Sequence, residues 1–120
     1  MAAQGDYWTA VYHCQQAAEK MTKAVLFKYK IIEMKEHVIS GLFASRLLRH
    51  RRSKELNQVY RYLAQLERHV NKARYPIQED GKVVLPMDRY GARDAEDAIA
   101  KAEYIINTLQ KLLDEPQEPS

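Results

Sequence analysis

Residues 56–76 read LNQVYRYLAQLERHVNKARYP, and this stretch decides the fold. Leu56, Val59, Leu63, Leu66 and Val70 recur at spacings of three and four, the seam of a single helical face. Ser53 stands where an N-cap is needed. Pro76 stops the helix, because proline disfavours α geometry in the residue before it.

Working outward, a first helix opens near Asp6 as N-cap and carries Val11, Cys14, Ala18, Met21, Val25 and Tyr29 on one face. Ala17 and Ala24 flank that stripe and are small enough to let another helix approach closely. A turn is expected near Tyr29–Met34. A second helix then carries Val38, Ile39, Leu42, Phe43 and Leu47 and ends near His50. Pro76–Tyr90 is a fifteen-residue connection, and its Lys82–Leu85 stretch is expected to lie extended across the bundle. The last helix spans about Arg93–Leu113, with a wide apolar face of Ala95, Ala98, Ile99, Ala102, Ile105, Ile106, Leu109, Leu112 and Leu113. The expected fold is all-α, an up-and-down four-helix bundle with a long loop before the last helix.

A chain of 120 residues is expected to form one domain, with a core of about 6–113 and a polar tail at 114–120. Hydrophobic residues at 46% and charged residues at 29% exclude a disordered chain. No apolar run reaches the ~18 residues that span a bilayer, and no signal peptide is read at the start. Cys14 stands alone, so no intramolecular disulfide forms and a reducing cytoplasm is expected. Tyr7, Trp8, Tyr12, Tyr60 and Tyr62 exceed what one small core buries, which points to a homodimer face.

The net charge of +3 is mild, but its distribution is not. Arg46, Arg49, His50, Arg51, Arg52 and Lys54 crowd into nine residues without an acid. One reading is a solvated helix end, where each cation contributes ~0.3–1 kcal/mol. The other is a patch for nucleotide or RNA phosphates, although no aromatic residue lies in the cluster for stacking. Arg74-Tyr75-Pro76 carries the same two readings: a helix-end brace, or an arginine fork for phosphate with Tyr75 beside it. His13, His37, His50 and His69 form no HxxxH or HExxH pattern, so neither metal nor cofactor is expected.

Four segments resemble the HEPN domain, a helical module of prokaryotic toxin–antitoxin and nucleotidyltransferase systems. AVYHCQQAAEKMTKAVL (10–26) is similar to the family's first helix, and His37-Val38-Ile39 with Leu42 to the start of its second. LERHVNKARYP (66–76) resembles the Leu-Glu…Arg-Tyr-Pro-Asp signature of one branch, with Ile77 in place of the aspartate. AEDAIAKAEYII (95–106) is similar to the last helix. The resemblance implies a bundle, usually dimeric.

Many members of the family are ribonuclease toxins with an arginine and a histidine separated by four to six residues. Here the matching positions upstream of His37, His50 and His69 are Lys30–Ile32, Phe43–Ser45 and Tyr62–Ala64, none of them arginine, and His13 fails as well. Arg46 and His50 have only three residues between them. Arg68, His69, His37 and Arg74 are left as candidates for an unusual site. The departure shifts weight from a metal-independent endoribonuclease toward a phosphate-binding module that partners a small nucleotidyltransferase. A purely structural bundle is the third reading.

Overall fold

The computed structural model describes residues 4–30, 39–73, 77–84 and 90–116. Helix α1 spans Gln4–Lys28, and α2, Ile39–Leu42, continues directly as a π-helical stretch at Phe43–Leu48. Helix α3 spans Lys54–Ala73, strands β1 and β2 span Ile77–Glu79 and Lys82–Val84, and α4 spans Ala92–Asp114. The all-α bundle is therefore observed, with its long connection before the last helix.

The α3 seam is buried throughout, from Leu56 to Val70. It meets Val11, Ala18 and Val25 of α1, Leu42, Phe43 and Leu47 of the second segment, and Ala98, Ile105 and Leu109 of α4. Two polar residues share the buried face of α1: Gln15 and Thr22. Thr22 satisfies its hydroxyl by donating to the Ala18 carbonyl at 2.8 Å, and Gln15 accepts from Gln16 at 2.7 Å. Met21 is only partly buried. Trp8 and Tyr12 stack on each other at 5.4 Å, and Tyr60 and Tyr62 pack against the core, so part of the aromatic surplus is absorbed within the chain.

The helix ends follow local chemistry. Ser53 Oγ accepts the Leu56 N–H at 3.1 Å, the cap read from sequence. Gly91 precedes α4, and its N–H donates to Asp94 Oδ2 at 2.9 Å. Helix α1 starts at Gln4, so Asp6 lies inside it and not at its cap. At its other end Lys30 turns left-handed at φ 60, which places the break where the turn was expected. Lys82–Val84 is extended, as expected, and pairs antiparallel with β1. The reason is Asp80-Gly81, whose φ values of 51 and 75 make a tight two-residue hairpin turn.

Lys28 donates to the carbonyls of Leu112, Leu113 and Glu115, pinning the end of α1 to the end of α4. Arg51, just before α3, donates to the Tyr29 hydroxyl at 3.1 Å and pairs with Glu115. α1, α4 and the π-helical stretch that continues α2 therefore finish at one pole, where α3 begins. The direction alternates through α2, α3 and α4, while α1 lies parallel to α4.

The start of α2 is fixed by α3. Glu67 accepts the Ser40 N–H at 2.7 Å and its hydroxyl at 2.8 Å. Burial raises the Glu67 carboxyl above the ordinary glutamate value; the Ser40 bonds oppose the rise and Glu19 adds to it. The folded chain thus holds this proton more tightly than the unfolded one. Its contribution to stability is full below the ordinary glutamate pKa and is lost as pH rises through the raised value. Urea melts from about pH 4 to about pH 7 should show the wild type losing ground to Glu67→Gln. The opposite slope would mean that the Ser40 bonds outweigh burial.

Candidate functional site

Gln65, Arg68 and His69 sit at i, i+3 and i+4 of α3, so one helical face presents all three. The antiparallel α4 brings Lys101 opposite them, and the four side chains line an open groove of about 400 Å³. Arg68 is exposed, while Gln65, His69 and Lys101 are half-buried.

Lys101 is held on two sides. Its Nζ lies 2.6 Å from Asp97 Oδ2, one helical turn before it, and 5.9 Å from the centre of the Tyr62 ring. Tyr62 is in turn fixed edge-on against Tyr104 at 5.4 Å. The ammonium is thereby placed on the groove wall with little freedom, its side chain only 14% exposed. Asp97 offsets one of the two permanent cations, which leaves an excess of positive charge from Arg68.

His69 is fixed as well. Its Nδ1 lies 2.9 Å from the Tyr90 hydroxyl, just ahead of α4. Burial and, secondarily, Asp94 raise the Tyr90 phenol above its ordinary value, so it keeps its proton at neutral pH. The same hydroxyl also donates to the His69 carbonyl at 3.4 Å. The groove can therefore supply an arginine fork, an anchored ammonium and an oriented imidazole, a set suited to an oxyanion such as phosphate.

The basic cluster lies elsewhere. Arg46, Arg49, His50, Arg51, Arg52 and Lys54 are all exposed, on the π-helical stretch, the turn that follows and the first residue of α3. Arg51 is engaged as the clasp of the pole, with Tyr29 and Glu115. From Lys54 to Arg68 the α3 axis advances about 21 Å, so the cluster and the groove are two places and not one site. His37, Arg74 and Tyr75 lie outside the described residues. His13 is exposed on α1 beside Tyr12. Burial, and then Glu103, raise the Cys14 thiol, which keeps it protonated. Among the described residues no three metal-binding side chains converge, and no helix is long and apolar enough to cross a membrane.

Gln65, Lys101 and Tyr90 were not singled out by sequence. The first is legible in hindsight, since it shares a helical face with Arg68 and His69. The other two require knowing that α4 runs back along α3.

The family model described as the HEPN domain matches residues 1–112. A Methanocaldococcus jannaschii protein named "Putative toxin MJ1304" is 33% identical over 114 residues, covering 91% of this chain and 74% of that protein. No solved structure matches.

Proposed function

The chain belongs to the HEPN domain family, and on that premise we propose that it is a toxin-type module whose α3–α4 groove binds the phosphates of a nucleotide or RNA. The observation that carries the reading is the convergence of Arg68, His69 and Lys101 on one groove. Arg74 and Tyr75, which follow α3 in the chain, extend the same proposal, and the exposed Arg49 and Arg52 offer a second contact for a longer strand. The partner in this reading is a small nucleotidyltransferase, with the name of the M. jannaschii relative pointing to a toxin system. The module works in the cytoplasm as a homodimer, for which the half-buried Trp8 and Tyr12 at the start of α1 are the proposed contact. Trp8 Nε1 is buried and has no hydrogen-bond partner among the described residues.

The His69–Tyr90 bond favours a second reading, a metal-independent endoribonuclease. There His69 moves the proton and Arg68 stabilises charge developing on the phosphorus oxygens. The absent Arg–His spacing weighs against it.

Fluorescence anisotropy with a labelled single-stranded RNA tests the first reading. Affinity should fall as salt rises, each phosphate contact adding about 0.7 to the log–log slope. Gel analysis of the same RNA should show it intact. Cleavage that His69→Ala abolishes would transfer the function to the enzyme, and no binding of RNA or nucleotide at low salt would leave only a scaffold.

A further inference from the structure

The helix face opposite the core of α1 is exposed along a row of described residues. His13, Ala17, Lys20, Ala24 and Phe27 are all exposed there and follow one another at spacings of four and three. Phe27 is 69% exposed, against 44% for Ile99, the other exposed large hydrophobic among the described residues. Lys23 and Lys30 are exposed beside the row. No exposed carboxylate on α1 is found among the described side chains; Glu19 is half-buried and faces Lys23 at 3.6 Å.

We infer that this outer face of α1 docks the acid-flanked apolar stripe of an amphipathic helix from a partner protein. The row repeats every seven residues and runs about 21 Å along the axis, the geometry of a helix–helix seam. Alanine at 17 and 24 lets a second helix axis approach to the roughly 8 Å end of the packing range. Phe27 supplies the apolar anchor, of the aromatic kind that concentrates binding energy at interfaces. The charge of the face selects the partner. Lys20 lies within the row and Lys23 and Lys30 at its margins, so carboxylates on the incoming helix are attracted and cations refused. A second copy docked through this face would bring its own lysines against these. A lipid surface would need bulky apolar residues where alanines stand. This inference is independent of the phosphate groove.

The test titrates the full chain with two synthetic helical peptides of about 25 residues, long enough to cover the row. Both carry a leucine stripe; glutamate flanks it in one and lysine in the other. The glutamate peptide should bind at least about tenfold more tightly, and Phe27→Ala should weaken it by about tenfold or more. Ala24→Arg keeps the positive charge but should block the close approach and remove binding. Circular dichroism should be unchanged in both variants, because both positions are exposed. Equal binding of the two peptides, or indifference to Phe27→Ala and Ala24→Arg, would overturn the inference. So would conversion of a wild-type dimer to monomer by Phe27→Ala, which would make a second copy the occupant. Loss of RNA binding in the same variant, with Arg68 and Lys101 intact, would overturn it as well.

Discussion

Phe43→Ala should lower the unfolding free energy by about 3–5 kcal/mol, the largest stability effect expected from one substitution in this chain. Phe43 is fully buried and is the first residue of the π-helical stretch. Its ring belongs to the same cluster as Leu63, Leu66, Ile105 and Leu109, each also fully buried. Truncation forfeits the apolar area that folding removes from water and leaves a void that these neighbours, drawn from two other helices, can fill only in part. Met21→Ala should cost less, since Met21 is only partly buried and its site can relax toward solvent. Urea titration followed by circular dichroism measures both, with an unchanged m-value as the check that only stability moved. A loss below about 1 kcal/mol for Phe43→Ala would mean that the core does not close around this ring.

The comparison of those two residues shows where the sequence was legible. The α3 and α4 faces repeat cleanly, and all five seam residues of α3 are buried. α1 was harder to read, because Gln15 and Thr22 occupy buried positions that a hydrophobicity pattern skips. Met21, counted as core, stands at the edge. The π-helical stretch leaves no trace in periodicity, since a single wider turn shifts the phase without breaking the apolar run. The hairpin had a local signal in Asp80-Gly81, a pair that favours positive φ at both positions. The direction of α1 relative to α4 depends on contacts such as Lys28 to the α4 carbonyls, which join residues 84 to 87 apart and have no sequence signature. The groove was half legible for the same reason. Arg68 and His69 are neighbours in the chain, whereas Lys101 joins them only through the antiparallel packing of two helices.

Those two halves of the groove give the prediction with the largest effect on binding. Arg68→Glu combined with Lys101→Gln should reduce affinity for single-stranded RNA by about a hundredfold at low salt and lower the log–log salt slope by about 1.4, two contacts at 0.7 each. Arg68 is exposed, so its reversal should leave the fold intact. Glutamine at 101 gives up the ion pair with Asp97 without setting a like charge beside it, at a cost of a few tenths of a kcal/mol. The matching pair at the other pole, Arg49→Glu with Arg52→Glu, should weaken long strands but leave a mononucleotide unaffected, because about 21 Å of helix separates the two places. Arg51 is left untouched in both variants, since its pairing with Glu115 and Tyr29 would mix a packing effect with a binding one. The mononucleotide separates the sites. If it still binds the groove variant and is lost from the Arg49/Arg52 variant, phosphate recognition belongs to the turn before α3 and the groove reading falls.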